Sequence, residues 1–311
     1  MTASVASHCA RLAETALLQE LNLTPKPGLV DRNNSGAHTD MDYALMCGDI
    51  PHIGALVSRS VQLAAAHQRE ELTALERFRE LRQLGREAEA KIFQKAPPVN
   101  TYKGIVFFFS ILTYALIDAS FAAQNFPDEL SWRQSIREIA RPVLRDYSEK
   151  SDEYLRGFGY QAHCKSGRRG AREEAVSGFA TFFEITLPSY ERALAHTQLP
   201  ELAAKLALLE TMAVLEDSNF YHRLGELRAR FWQTRIQEEV SLFWQQLEGD
   251  IPAAAAIKLE RLLLELDQAF IAENASPGGT ADHMAALYYV LGFREELAPR
   301  LSSPEFSRLC F

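Results

Sequence analysis

Helical periodicity runs through most of this chain and is interrupted only by short polar segments. Alternating β-branched runs and Asn-Gly hairpin turns, the usual signals of strands, are not found in the sequence. The pattern predicts an all-α, multi-helix globular bundle of roughly ten or more helices, and we treat residues 1–311 as a single domain. The most regular segments are residues 5–21, 70–93, 104–117, 132–147, 202–215, 227–247 and 253–271.

The most apolar segment, residues 104–117, indicates a core helix and not a membrane span. It is shorter than the ~20 residues that a span requires, and Asp118 follows it directly. The N-terminus has no basic region followed by an apolar run, so we expect no signal peptide. The four cysteines form no CxxC pair, which favours a reduced, cytoplasmic compartment.

The formal net charge of −8 limits the class of partner. A protein that coats nucleic acid needs many cations to neutralise phosphates, so nucleic acid is not expected as a partner. A phosphorylated small molecule needs only a local group of cations, or a metal ion held by carboxylates. The net charge is therefore compatible with a small anionic ligand.

Five polar breaks between the helices hold most of the side chains that could do chemistry. Each mixes Gly or Pro with charged or amide residues, which predicts an active site formed by inter-helix loops. The breaks are residues 24–40, 96–104, 165–174, 215–225 and 276–282.

The first two breaks carry candidates for binding a charged ligand. Two prolines stiffen the segment that holds Lys26, Asp31 and Arg32. Lys103 lies at the start of the most apolar helix, where free N–H groups suit a phosphate. Ordinary helix caps and turns use the same residue types, so a purely structural role remains the alternative for both breaks.

The remaining breaks combine cations, carboxylates and glycines. The third forms a local positive patch that includes Arg172, and the alternative is a solvated surface loop. Glu216 and Asp217 offer oxygen ligands for Mg²⁺, and the alternative is a capped helix junction. Gly278 and Gly279 precede a helix and would let backbone approach a ligand closely.

Taken in order, the breaks resemble the triphosphoribosyl-dephospho-coenzyme A synthase family from about residue 20 to 285. Members of that family make the precursor of the prosthetic group of an acyl carrier subunit, for citrate lyase or malonate decarboxylase. The matching segments are residues 24–32 with Asn34, Gly36, His38, Asp40 and Met41, then residues 100–104, 170–175 with Gly178, 217–219 with 223–225, and 276–282.

Three positions depart from the family pattern. Tyr102 stands in place of a histidine, and Glu173 and Leu224 stand in place of glycines. The first change removes an imidazole that could act as an acid, a base or a ligand, and the other two add bulk. We interpret the chain as a divergent member of the family.

The resemblance implies a transfer of the triphosphoribosyl group of ATP to the 2′-hydroxyl of 3′-dephospho-coenzyme A, with release of adenine. ATP and dephospho-coenzyme A are then the substrates and Mg²⁺ the expected cofactor. The downstream partners are a holo-acyl-carrier-protein synthase and the acyl carrier subunit. Neither the pathway that is served nor a homodimeric assembly is decided by the sequence.

The resemblance also implies roles for particular residues. Asp31 or Asp217 would accept the proton or stabilise the developing cation. His38 would protonate adenine, since imidazole titrates near neutral pH, and the alternative is a loop histidine that makes a structural hydrogen bond. The expected substrate-binding residues are Lys26, Arg32, Asn34, Asn100, Lys103, Arg172, Asn219, Arg223, Gly278, Gly279 and Asp282. The expected metal ligands are Glu216, Asp217, Asp40 and Glu174.

Two other functions are compatible with the same residues. A Mg²⁺-dependent hydrolase would cleave the N-glycosidic bond with water and release adenine without dephospho-coenzyme A. A non-catalytic helical protein would bind nucleotide and release no adenine at all.

Overall fold

The computed structural model describes residues 2–94, 99, 101–145, 170–247 and 252–302. Every regular element among them is helical, so the predicted all-α class is confirmed. The α-helices are α1 (Thr2–Asn22), α2 (Tyr43–His67), α3 (Ala74–Ile92), α4 (Lys103–Ala123), α5 (Glu129–Ala140), α6 (Ala171–Val176), α7 (Leu187–Thr197), α8 (Pro200–Val214), α9 (Ser218–Leu224), α10 (Glu226–Leu247), α11 (Pro252–Ala272), α12 (Gly278–Gly292) and α13 (Ala298–Leu301).

Short helical turns complete the described elements. A 3₁₀ turn at Arg141–Leu144 follows α5, and π-helical turns at Phe182–Thr186 and Phe293–Leu297 precede α7 and α13. Pro142 lies in the 3₁₀ turn and has no N–H to donate, which explains why α5 ends earlier than the periodicity of residues 132–147 predicts.

Helix α4 forms the centre of the core. It packs against α2, α3, α5 and α12. It runs to Ala123, past Asp118, so the helix is longer than the apolar segment 104–117. By length and composition α4 is able to cross a membrane, but 78% of its most apolar 18-residue window is buried within the fold, as expected for a core helix.

Capping side chains set the starts of several helices. Thr73 and Glu76 form a reciprocal capping box at α3, in which the Glu76 carboxylate accepts from Thr73 N at 2.8 Å. Asp42 caps α2 by accepting from Leu45 N at 2.8 Å, two residues beyond Asp40. Asp40 is thereby left outside the cap.

Candidate active site

The described parts of the five polar breaks meet at one cavity of about 880 Å³, whereas residues 96–98 and 165–169 lie outside the described residues. The helices α4, α6, α9 and α12 all begin at its wall. The predicted site residues that line the cavity are Lys26, His38, Asp40, Lys103, Arg172, Glu174, Glu216, Asp217, Asn219, Arg223, Gly278, Gly279 and Asp282. Asp31, Arg32 and Asn34 are not among the lining residues, and Asn100 lies outside the described residues.

Asp31 organises the loop that carries Lys26. Its carboxylate is buried and accepts from Lys26 N at 2.9 Å, from Asn33 N at 2.7 Å and from Asn34 N at 3.2 Å. Those bonds lie within residues 26–34, so the carboxylate fixes the backbone turn beside the cavity.

Arg32 and Asn34 also make contacts within the scaffold. Arg32 is exposed and donates from Nε to Asn22 Oδ1 at 2.8 Å. Asn34 donates from Nδ2 to Asp267 Oδ2 at 2.9 Å, while Gly28 N donates to the other oxygen of Asp267 at 2.9 Å. The buried Asp267 therefore holds the first break against α11.

Asp217 lines the cavity and also caps α9. Its Oδ1 accepts from Asn219 N at 2.8 Å and Phe220 N at 3.1 Å, and its Oδ2 accepts from Gly279 N at 2.6 Å. Burial raises the pKa of Asp217, whereas these three backbone donors oppose the rise. The carboxylate thus ties the fourth break to the fifth at the cavity wall.

Asp282 lies in the first turns of α12, against the start of α4. A Cβ atom on Gly104 would overlap the Asp282 carboxylate, so any larger residue at that position would displace the Asp282 side chain. Burial raises the pKa of Asp282 well above its ordinary value, and the negative charges of Asp217 and Glu20 raise it further. The cavity therefore contains a carboxyl group that holds its proton more tightly than usual.

Lys26 is paired with a residue that sequence reasoning missed. Glu20 on α1 forms an ion pair with the Lys26 ammonium, and the two side chains are only 3% and 1% exposed. Burial raises the pKa of Glu20, while the charge of Lys26 lowers it. Lys26 is therefore a buried, neutralised cation in the cavity wall, not a free ligand for phosphate.

His38 belongs to a hydrogen-bonded link between the first and fifth breaks. Its Nε2 lies 2.8 Å from Ser276 Oγ, and its Nδ1 lies 3.4 Å from Asp40 Oδ1. Burial and the charge of Arg223 lower the pKa of His38, although Asp40 opposes the shift. The imidazole is therefore neutral at pH 7, which is unfavourable for the predicted proton donor.

Arg223 and Asn219 hold the same breaks together. Arg223 Nη1 donates to Ala37 O at 3.0 Å and to Asn274 Oδ1 at 2.8 Å. Asn219 Nδ2 donates to Ser276 O at 3.1 Å. Both side chains line the cavity while fixing its loops in place.

Glu174 pairs with a histidine on α12. His283 Nε2 lies 3.7 Å from Glu174 Oε2, and His283 Nδ1 lies 2.8 Å from Gly279 O. Burial tends to raise the pKa of Glu174, but the contacts of His283 and Thr181 lower it below its ordinary value. Thr181 donates from Oγ1 to Glu174 Oε1 at 2.6 Å. Glu174 is therefore an ionised, fully engaged carboxylate.

A cavity that places charged side chains and apolar surface at the starts of several helices suits a nucleotide. The sequence profile of the ATP:dephospho-CoA triphosphoribosyl transferase family matches residues 6–300. The chain belongs to this family. No solved structure gives a significant match.

Curated relatives support the same assignment over almost their whole length. A probable 2-(5″-triphosphoribosyl)-3′-dephosphocoenzyme-A synthase of Streptococcus mutans is 32% identical over 298 residues, 92% of this chain and 96% of the relative. A probable synthase of the same name from Pseudomonas syringae pv. tomato is 34% identical over 96% of this chain and 95% of the relative. The 2-(5″-triphosphoribosyl)-3′-dephosphocoenzyme-A synthase of Escherichia fergusonii is 33% identical over 91% of this chain and 90% of the relative.

The departures from the family pattern differ in their surroundings. Tyr102 lines the cavity, is 3% exposed, and its hydroxyl has no hydrogen-bond partner in the part of the chain that the structure describes. Burial raises its pKa well above the ordinary value, so the phenol is neutral. Glu173 is exposed and Leu224 is half-buried, and neither lines the cavity.

The predicted metal ligands line one cavity without forming a cage for an ion. Among the described residues, no three His, Cys, Asp or Glu side chains are placed to share a metal ion. Asp217 and Glu174 are engaged by other donors, whereas Asp40 and Glu216 are exposed. A Mg²⁺ ion bound here would take most of its ligands from phosphate and water, as Mg²⁺ commonly does.

Sequence reasoning missed one whole wall of the cavity. Arg82, Arg86 and Glu89 on α3 line it, together with Glu20 and His283. In the sequence, the charged α3 residues have the pattern of the polar face of a surface helix. Such a pattern does not show whether the charged face borders solvent or a cavity. His283 directly follows the last residue of the fifth break, and this adjacency was the available signal.

Proposed function

We propose that this protein transfers the 5-triphosphoribosyl group of ATP to the 2′-hydroxyl of 3′-dephospho-coenzyme A and releases adenine. Membership of the family supports the reaction. The structural observation that carries the proposal is a pair of carboxyl groups that face one cavity in different hydrogen-bonding environments: Asp217, which is buried, and Asp282, which is half-buried.

The reaction has two proton requirements. The C1′–N9 bond of ATP breaks and a bond from C1′ to the acceptor oxygen forms, through an oxocarbenium-like state. The hydroxyl must lose a proton, and adenine leaves more easily when it gains one. Two titratable groups with different environments on either side of C1′ would meet both requirements.

We assign the proton donor to Asp282. Its raised pKa supports a neutral carboxyl group, which is able to give a proton to adenine as the glycosidic bond breaks. His38, the residue that we expected to fill this role, has a lowered pKa and holds Ser276 instead. In this proposal His38 positions the fifth break.

We assign the proton acceptor to Asp217. Three backbone N–H donors favour its ionised form and fix its direction, so its charge also stabilises the developing cation at C1′. Asp31, the other candidate, is proposed to position the first break, because its oxygens accept from residues 26–34 and it does not line the cavity.

The triphosphate is proposed to bind at the starts of α4 and α12. Free N–H groups and the helix dipole favour anions there. Lys103 is exposed at the first position of α4, and Arg172 and Arg223 line the same cavity. Mg²⁺ is proposed to enter with the triphosphate and to neutralise part of its charge, with Asp40 and Glu216 as the protein carboxylates nearest to solvent.

The pathway context belongs to the proposal as well. The product would be the prosthetic-group precursor that a holo-acyl-carrier-protein synthase attaches to an acyl carrier subunit. Citrate lyase and malonate decarboxylase both fit this chemistry. A cytoplasmic location follows from the substrates, since ATP and dephospho-coenzyme A are both cytoplasmic metabolites.

A direct assay tests the proposed function. The purified protein is incubated with ATP, Mg²⁺ and dephospho-coenzyme A, and both adenine and the coupled product are measured. Equal amounts of the two products are expected. Adenine without acceptor would instead indicate the hydrolase, and ATP binding without adenine would indicate a non-catalytic protein.

A further inference from the structure

One complete face of α3 borders the cavity, although nothing in the proposed chemistry uses it. Its cavity-lining residues recur at helical spacing over about four turns, a distance of ~22 Å at 1.5 Å per residue. They include Phe78, Leu81, Arg82, Gly85, Arg86 and Phe93. The cavity is therefore elongated along this helix.

Contacts between α3 and α4 give the direction of this elongated region. Arg77 Nη1 lies 3.5 Å from Asp118 Oδ1 near the end of α4, whereas a Cβ on Gly85 would lie 3.3 Å from Val106 Cγ1 near its start. The two helices are therefore antiparallel. The Phe93 end of α3 lies towards the start of α4 and Asp282, and the Phe78 end points away from them.

The chemistry of the lining residues changes in order along that direction. Along α3, in the direction away from Asp217 and Asp282, the lining residues are Arg86, then Arg82, and finally Leu81 and Phe78. Phe107 and Ile111 of α4 also line the cavity and are apolar. From the Asp217–Asp282 end, the α3 wall therefore presents Phe93 and Glu89, then the two guanidinium groups, and then an apolar end.

We propose that this groove between α3 and α4 binds the diphosphate and the pantetheine arm of the acceptor, dephospho-coenzyme A. The inference rests on the proposed function. In this acceptor the ribose that carries the 2′-hydroxyl is followed by a diphosphate and then by a long, largely uncharged arm. The groove presents matching groups in the same order, with Arg86 and Arg82 at the diphosphate.

ATP does not match the groove as well. Its charged chain ends at the third phosphate, so an apolar end beyond the two arginines would have no ligand group to contact. Each guanidinium has five N–H donors, so contacts of Arg82 and Arg86 within the protein still leave donors for phosphate oxygens. The groove is therefore assigned to the acceptor and the starts of α4 and α12 to the donor.

Comparison of two acceptors tests the inference. ADP has the same ribose hydroxyl and diphosphate as dephospho-coenzyme A but no pantetheine arm. With ATP labelled in its adenine as donor, we expect kcat/KM for dephospho-coenzyme A to exceed that for ADP at least about tenfold, because the arm buries apolar groups.

A filling variant then removes the space for the arm. Ser110 lines the groove, and Ser110→Leu adds apolar bulk to a helix that tolerates leucine. The preference for dephospho-coenzyme A over ADP should fall towards one, while KM for ATP stays within about twofold, an effect that general misfolding would not produce.

A second variant tests the diphosphate end without threatening the core. Arg86 is exposed, and Arg86→Gln should raise KM for both dephospho-coenzyme A and ADP about tenfold, with KM for ATP unchanged. Arg79→Gln, which changes an exposed arginine on the same helix outside the cavity lining, is the matched control.

The outcomes separate this inference from the proposed function. If the wild-type protein makes no coupled product with either acceptor, the proposed function fails. If it makes product, but Ser110→Leu keeps the full acceptor preference or Arg86→Gln raises KM for ATP alone, the assignment of the groove to the acceptor is overturned.

Discussion

At the scale of single residues, Asp282 is the side chain on which the proposed chemistry depends most. Replacement of Asp282 by Asn keeps its shape and removes the transferable proton. We expect kcat to fall by roughly 10²–10⁴-fold, as for loss of a general acid, with KM for ATP changed little. Steady-state adenine release measures both constants. A variant with kcat within twofold of wild type would remove Asp282 from the role of donor.

The raised pKa of Asp282 also predicts how stability depends on pH. A carboxyl group whose pKa is higher in the folded than in the unfolded state binds more protons when folded. Its contribution to stability is fully present below its unfolded pKa of about 4 and is lost as pH rises through its folded pKa. The contribution of Asp282 to the free energy of unfolding should therefore decline as pH rises above about 4.

Asp282→Asn should remove this declining contribution. Urea unfolding of wild type and variant at several pH values between 5 and 9 gives the two slopes. Asp217, Glu20 and Asp267 also have raised pKa values and titrate in both proteins, so the difference between the slopes reports Asp282 together with its electrostatic coupling to Asp217 and Glu20. Identical slopes would mean that Asp282 titrates normally.

Two buried tyrosines give a matched test of the unpaired hydroxyl in the cavity wall. Tyr102 Oη has no hydrogen-bond partner among the described residues, whereas Tyr289 Oη lies 2.9 Å from Thr113 Oγ1. Tyr289→Phe should lower the free energy of unfolding by about 1 kcal/mol, and Tyr102→Phe should not lower it. Urea denaturation compares them, and an equal loss in both would show that Tyr102 has a partner.

At the scale of elements, the contact between the starts of α4 and α12 places the Asp282 carboxylate where a side chain at residue 104 would begin. The Cβ of an alanine would overlap the Asp282 carboxylate. Gly104→Ala should reduce activity more than tenfold and destabilise the fold by ~1–3 kcal/mol, the usual cost of overpacking. Unfolding curves and adenine release measure the two effects.

A double variant identifies the cause of that loss. Asp282→Ala removes the overlapping carboxylate, so Gly104→Ala combined with Asp282→Ala should be more stable than the sum of the single changes predicts. Additive free energies would contradict the contact between the two helix starts.

Helix existence was predictable from the sequence, and helix ends less so. The periodicity of residues 70–93, 202–215 and 227–247 matches α3, α8 and α10 within a few residues. The end of α4 was not predicted, because a single half-buried Asp118 does not stop a helix when its carboxylate finds partners. Ser135 Oγ donates to it at 2.8 Å, and Gln68 Nε2 donates at 2.8 Å.

At the scale of the whole molecule, the sequence predicted which loops border the cavity. It predicted less well what each side chain in those loops contacts. The described parts of the five polar breaks reach one cavity, because α2, α6 and α12 pack on α4, and α9 packs on α12. The roles of Asp31 and Lys26 depend on buried partners in three dimensions, which no spacing rule contains.

Mg²⁺ dependence is a prediction at the same scale. Since the described residues form no cage for an ion, Mg²⁺ should bind with the nucleotide and not to the free protein. Excess EDTA should stop adenine release, yet leave the melting temperature of the ligand-free protein unchanged. A lower melting temperature with EDTA would indicate a resident metal ion.

The most direct test of the account is a crystal structure of the Asp282→Asn variant with ATP and dephospho-coenzyme A bound. The account predicts that C1′ of ATP lies between Asp217 and residue 282, with the triphosphate at the start of α4 and the acceptor's arm between α3 and α4. Nucleotide bound away from this cavity, or with its C1′ remote from both residues, would contradict it.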